Sequence, residues 1–344
     1  MSSLYVQQQG AVIRRAGKRL IVRRGEETLQ AMRMRDLERV ALFGSVELSA
    51  PAAIALMEAG IETVFLSLGG RFRGRLAPAE GKNVFLRQAQ FRAYDDANLR
   101  LRTARALLNG KICNSRRLLQ RHHQKHPSAS LEQAAAELEK RREQLQQPSS
   151  LDGLLGVEGA AAHAYFAAFG GMVRSEFAFT VRSRRPPRDA VNALLSFGYT
   201  LLATELTGAV AAEGLDPAVG LLHHLDYGRP SLALDLLEEF RQPVVDRLVL
   251  SLINRRVLRQ EHFEDRGQGG VLLNDAGRRR FLEFYYRTLE TPFSENGQQR
   301  MTYREIFQRQ ARGLRAVIEN QASYTPYLLP TGGARAPALP VEGE

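Results

Sequence analysis

Two stretches place acidic side chains where an apolar helix face is expected. In "SLDGLLGVEGAAAHAYFAAFGG" the residues Leu151, Leu154, Leu155, Ala162, Tyr165, Phe166 and Phe169 fall on one helical stripe, and Glu158 lies inside it. Its neighbours Gly156, Gly159, Ala160 and Ala161 are small, which lowers helix propensity at the glycines but leaves room for a close approach. In "HHLDYGRPSLALDLLEEFRQPVV", residues 223–245, Asp235, Glu238 and Glu239 stand among leucines behind a His pair and a Gly-Arg-Pro turn. Asp235 and Glu238, three residues apart, share a helix face. An ionised carboxylate is costly to bury alone, so something positive must sit opposite. Two answers stay open: an arginine such as Arg229 or Arg241, or a divalent cation held by carboxylates of both stretches and a histidine. Two oxygen anions and one imidazole suit Mn²⁺ well and Mg²⁺ acceptably. The chemistry of such a centre is phosphoryl transfer: the cation polarises a phosphodiester oxygen, activates a hydroxyl or water, and stabilises the leaving oxyanion.

The elements that must carry these residues divide into two regions. Residues 1–80 read as β-rich, with short β-branched or alternating runs broken by glycine. One short helix interrupts them in "SAPAAIALMEAG", where Ser49 can cap, Pro51 fits the first turn and Gly60 suits the end. Residues 81–325 are dominated by helical patterning, at 83–124, 131–147, 151–169, 189–213 and 231–254, with Ser130 as a further cap. The fold class is therefore α+β: a small N-terminal β-rich domain followed by a larger all-α catalytic domain. The Pro/Gly-rich residues 326–344 read as a disordered tail.

Composition narrows the function. At 44% hydrophobic and 25% charged, the chain has the balance of an ordinary globular protein. A single cysteine, Cys113, excludes an intramolecular disulfide and a thiolate metal cluster. The apolar stretch around "YTLLATELTGAVAAEG" is broken by Glu205 and Glu213, and the N-terminus lacks the pattern of a signal peptide, so a cytoplasmic, non-membrane address is expected. The net charge is +11, and residues 71–125 alone carry a surplus of +11. A field so concentrated points to a polyanion such as nucleic acid. Candidate phosphate contacts are Arg71, Arg73 and Arg75 in "GGRFRG", Arg182, Arg184, Arg185 and Arg188 in "RSRRPPR", and Arg229 and Arg241 near the second acidic stretch.

The stretches "LLGVEGAAAHAYF", "RSRRPPRDAVNALLSFGYTLL" and "GLLHHLDYGRPSLALDLLEEFR" resemble, in order and spacing, the CRISPR adaptation integrase family, CRISPR-associated protein one (Cas-one). The N-terminal "LFGSVELSAPAAIALMEAGIETVFLSLGGRFRGRL" is similar to that family's β-domain. The resemblance implies that Glu158, His223 and Glu238 bind the catalytic Mg²⁺ or Mn²⁺. It puts His223, rather than His224, in the "G-x-x-H" pattern of "GLLH", Asp235 at a second acidic position, and Asn192 and Tyr199 near the site. Which of Asp235 and Glu238 touches metal is left open by their shared face. The resemblance further implies a homodimer formed through the β-rich domain, and a heterohexamer with a small ferredoxin-fold CRISPR-associated partner. Its substrates are double-stranded DNA with single-stranded 3′ ends and CRISPR repeat DNA, joined by transesterification. A metal-dependent nuclease of branched or single-stranded DNA, and a non-catalytic basic DNA-binding protein, are the rival readings.

Overall fold

Apolar and polar residues alternate near the N-terminus, and the chain folds there into strands. The computed structural model describes residues 2–68, 72–76, 83–265, 267, 269–294 and 300–330. They fall into two compact units, Met1–Lys82 and Asn83–Glu344. In the first unit β1 (Ser2–Val6), β5 (Leu37–Phe43) and β7 (Glu62–Leu66) run parallel, with β8 (Phe72–Leu76) antiparallel to β7. A second sheet has β2 (Val12–Ala16), β3 (Arg19–Arg24) and β4 (Glu27–Arg33) antiparallel, and the short β6 (Glu47–Leu48) parallel to β2. Leu4, Val6, Ile13, Leu20, Val22, Val40 and Leu42 from both sheets close one core with Ala52 and Leu56 of α1 (Ala50–Glu58). Ser49 holds the N-cap position, yet its side chain makes no capping hydrogen bond. Gly60 leaves the helix at a φ of +65°, a left-handed turn that glycine adopts without strain. Arg73 is exposed on β8, while Arg71 lies outside the described residues.

The second unit is helical, as the patterning predicts. The expected helix over 83–124 is two: α2 (Val84–Asp95) stops where Asp96 accepts hydrogen bonds from the N–H groups of Asn98 and Leu99, capping α3 (Ala97–Lys125). Next, α4 (Ala129–Gln144) starts from Ser128 rather than Ser130. Two long helices follow, α5 (Leu151–Phe169) and α6 (Ala190–Ala212). By length and composition α6 could cross a membrane, but 61% of its apolar window is buried in the fold and its Glu205 pairs with Arg304, as in the core helix of a globular unit.

The helix expected over 231–254 is interrupted. It comprises α7 (Ser231–Leu237), a π-helical segment Arg241–Asp246, and α8 (Arg247–Asn254). Pro243 has no N–H to give the carbonyl of Glu239, so that carbonyl is left over from the helical ladder and accepts from Asn114 Nδ2 of α3 at 2.8 Å. Finally α9 (Asp275–Glu290) and α10 (Tyr303–Ile318) close the unit. Residues 326–330, expected to belong to a disordered tail, are packed instead. Tyr327 and Leu329 are 3% and 0% exposed, and Asn114 holds both: its Nδ2 donates to the Tyr327 carbonyl at 2.9 Å and its Oδ1 accepts from the Leu329 N–H at 2.7 Å. Residues 331–344 lie outside the described residues.

Candidate active site

Lys111 brings the two acidic stretches together. It lies on α3 in a stripe with Leu107, Leu108, Asn114 and Leu118, all facing inward. Its Nζ donates to Glu158 Oε1 of α5 and to Glu238 Oε2, just past the end of α7. The side chains of Lys111, Glu158 and Glu238 are 11%, 22% and 6% exposed, so the cluster opens to solvent on the Glu158 side. Arg241 closes the opposite side. Its Nη2 donates to Glu238 Oε1 at 2.8 Å and its Nε to Oε2 at 3.0 Å, a bidentate grip. Burial would raise the Glu238 pKa, but Arg241 and then Lys111 outweigh it and hold the carboxyl well below the usual range. Glu238 is therefore an anion in the fold.

Asp235 has a different task from Glu238, although the two share a helix face in sequence. It is fully buried and accepts the N–H groups of Leu221, Leu222 and His223, at 2.5, 2.9 and 2.9 Å. Its Oδ1 also meets His223 Nδ1 at 2.6 Å. With Nδ1–H donated to the carboxylate, the imidazole keeps its lone pair on Nε2. Gly220 explains the start of the "GLLH" motif, because a Cβ there would stand 2.9 Å from Asp235 Oδ2 and 2.9 Å from Ser231 Cβ. Only glycine lets the loop wrap the carboxylate so closely. With four donors on its two oxygens, Asp235 has no vacant acceptor direction toward a metal; it positions His223. His224, by contrast, is 57% exposed beside Asp152.

Behind Glu238 lies a second buried network, centred on Asp246, which lies outside the quoted motifs. The Arg241 guanidinium sits 4.7 Å from the ring centroid of Tyr199, and the Tyr199 hydroxyl donates to Asp246 Oδ1 at 2.5 Å. Tyr165 of α5 donates to Asp246 Oδ2 at 2.7 Å. Burial lifts the Asp246 carboxyl to about 6, against the lowering effect of both hydroxyls. Glu239 faces the other way, toward the C-terminal segment, where it accepts Tyr324 Oη and the Tyr327 N–H, each at 2.7 Å.

The candidate arginines differ in what they face, and Arg241 fills the role of positive partner that the sequence left open. Arg182 donates to Asn192 Oδ1 at 2.7 Å and to Ser196 Oγ at 3.1 Å, and stands 5.6 Å from the Tyr199 ring, contacts that shape the loop. Arg241 is the internal partner of Glu238. Arg184, Arg185 and Arg188 are exposed, and Arg229 is half-buried. Much of the positive charge of α3 is internal too: Arg100 donates to the Leu221 carbonyl, Arg105 to the Leu145 and Pro148 carbonyls, Arg117 to that of Leu329 and Arg121 to that of Pro330. These carbonyls end helices or lie in loops, where a long cation can reach them. The surplus over 71–125 is thus not one phosphate track.

The expected triad of Glu158, His223 and Glu238 around one cation is only partly assembled. Among the described residues no group of three or more His, Cys, Asp or Glu side chains stands arranged to hold a metal ion. Two carboxylates nonetheless converge on one positive centre, and the third candidate ligand is pinned with Nε2 available. The donor set therefore fits a hard divalent cation in chemistry, with Lys111 between the carboxylates. Lys111 belongs to no quoted motif; its signal is a lysine inside a leucine-rich helix stripe, a clue akin to the one that singles out Glu158.

Comparisons with known proteins give the family of the chain. The CRISPR associated protein Cas1 family matches residues 4–287. A CRISPR-associated endonuclease Cas1 of Thermus thermophilus is 37% identical over 328 residues, covering 95% of this chain and 99% of the relative. A casposase bound to integration product superimposes with a TM-score of 0.82 at 25% identity, covering 95% of this chain and 93% of that one. A partial Cas6-RT-Cas1–Cas2 complex gives a TM-score of 0.67 at 25% identity, covering 95% and 98%. With the family pattern running from the first β-strand into α9 and so containing every acidic residue of the cluster, the chain belongs to the CRISPR associated protein Cas1 family.

Proposed function

We propose that this protein is a CRISPR-adaptation integrase, a metal-dependent DNA transesterase and endonuclease. It joins the 3′-hydroxyl ends of captured DNA into the leader-proximal repeat of a CRISPR array. The observation that carries this reading is the convergence of Glu158 and Glu238, from separate elements, on one positive centre in a chain of the Cas1 family. Glu158, Glu238 and His223 through Nε2 would hold Mg²⁺ or Mn²⁺, which when bound supplies Lewis-acid activation of the phosphodiester and stabilises the leaving oxygen. Asp235 fixes the His223 ring, and Arg241 fixes the Glu238 carboxylate and keeps it ionised. In the joining step the 3′-oxygen bonds to phosphorus as the scissile P–O3′ bond breaks, and the bond energy is conserved, so no nucleotide cofactor is required. Water in place of the 3′-hydroxyl makes the same step hydrolytic. Exposed Arg184, Arg185 and Arg188 hold the duplex by its phosphates.

A homodimer through the β-rich unit, the heterohexamer with a small ferredoxin-fold partner and a cytoplasmic location belong to the same proposal. The Cas2-containing complex and the casposase with its product support the partner and the joining reaction. Strand joining in Mn²⁺ tests it, with labelled duplex bearing 3′ overhangs and repeat DNA as target. A product longer than either strand is expected from the wild type and is lost in Glu158→Ala and His223→Ala. Products that are only shortened would favour a repair nuclease, and unchanged joining in folded variants would remove the catalytic assignment.

A further inference from the structure

We propose that the Lys111 ammonium is an exchangeable occupant of the metal site: it neutralises Glu158 and Glu238 at rest and must leave them before a divalent cation binds. The inference rests on the metal reading above and deepens it. Lys111 Nζ is bonded to one oxygen of each carboxylate, the oxygens through which two elements of the unit meet. One lysine and one arginine face two carboxylates there, so the cluster is electrically balanced as it stands. A divalent ion cannot take those oxygens while the ammonium holds them, and adding it beside Lys111 and Arg241 would leave a surplus of positive charge in a largely buried space.

The two cations differ in freedom. Arg241 grips Glu238 with two parallel bonds and lies against Tyr199, whose hydroxyl is tied to Asp246. Lys111 has a flexible stem and a point charge, on the side where Glu158 opens to solvent. Lys111 is therefore the cation that exchanges, and Arg241 the one that stays. The exchange sets the affinity for metal, because every metal-binding event includes the loss of two ammonium–carboxylate bonds.

Mn²⁺ binding to the purified full-length protein tests this, read by the disappearance of the free-ion electron paramagnetic resonance signal and by thermal unfolding with and without Mn²⁺. Lys111→Met removes the competitor, and Mn²⁺ should bind at least about tenfold tighter, the order expected for loss of one competing charge interaction. Its apo form should melt lower than wild type, and Mn²⁺ should raise the melting temperature more than in wild type. Lys111→Arg, which keeps the charge and the fold with a stronger grip, should bind Mn²⁺ more weakly than wild type. If the wild type binds Mn²⁺ through Glu158 but Lys111→Met binds equally or less tightly, or Lys111→Arg binds more tightly, the exchange is wrong and the metal site stands. If neither the wild type nor Lys111→Met binds Mn²⁺, the metal reading fails and takes the exchange with it.

Discussion

At the scale of single residues, the second acidic stretch divides its labour between side chains that look equivalent in sequence. Asp235 orders a loop and a histidine, whereas Glu238 faces the cations of the site. The division predicts different signatures. Asp235→Asn replaces an acceptor of four donors with a group that can accept on one atom only, so buried N–H groups lose partners. Stability should fall by about 2 kcal/mol or more in urea titration, and strand joining by about 10- to 100-fold, as for partners of metal-ligating histidines. His223→Ala removes a partly exposed ring and should stay within about 1 kcal/mol of wild type while losing joining altogether. Equal stability losses in the two variants would show that Asp235 and His223 are merely packing together.

At the scale of elements, the C-terminal segment is a strap across α3. Asn114 binds it, Arg117 and Arg121 cap its carbonyls, and Pro326 lies over Gly110. A Cβ on Gly110 would approach Pro326 Cβ to 2.6 Å, and a proline ring cannot swing aside. Gly110→Ala gains helix propensity of about 1 kcal/mol, yet overpacking of about 1–3 kcal/mol should outweigh it. The expected result is a lower urea midpoint and faster proteolysis beyond residue 320. Gly156→Ala on α5 makes the control: a Cβ there meets nothing within 4 Å, so the same change should stabilise by up to about 1 kcal/mol.

At the scale of the whole molecule, charge and pH separate surface cations from internal ones. Replacing Arg184, Arg185 and Arg188 by alanine should flatten the slope of log K for DNA against log[salt] by about 0.9 per lost phosphate contact. Arg100→Ala and Arg105→Ala should lower stability and leave the slope unchanged, because those guanidiniums serve carbonyls of the fold. Two buried carboxyls set the pH response above the range in which Glu238 ionises in the unfolded chain. Burial raises Glu239 to about 8 from an ordinary 4.5, and Asp246 to about 6 from 3.8. Each keeps its proton in the fold at pH values where the unfolded chain has released it. Their contributions are complete below the ordinary values and are lost as pH rises through the raised ones. The melting temperature should therefore fall as pH rises, first through the Asp246 window and then through that of Glu239. Glu239→Gln, a neutral mimic, should flatten the upper part; a profile identical to wild type would exclude Glu239 as its source.

Period and spacing were enough to mark the two-part α+β architecture, most helices, and the inward carboxylates Glu158, Asp235 and Glu238, because amphipathic patterning is a local property; the choice of His223 and Glu238 as ligands was implied by the family resemblance alone. The charge surplus over 71–125 was equally plain, but its meaning was not: composition counts cations without showing which carbonyl or carboxylate each one faces. Only the tertiary structure decided that Arg182 and Arg241 work inside the fold, that Asp235 serves His223, and that Lys111 joins Glu158 to Glu238. Those pairings connect residues up to 127 positions apart, and buried electrostatics depends on distances between helices that no single helix encodes.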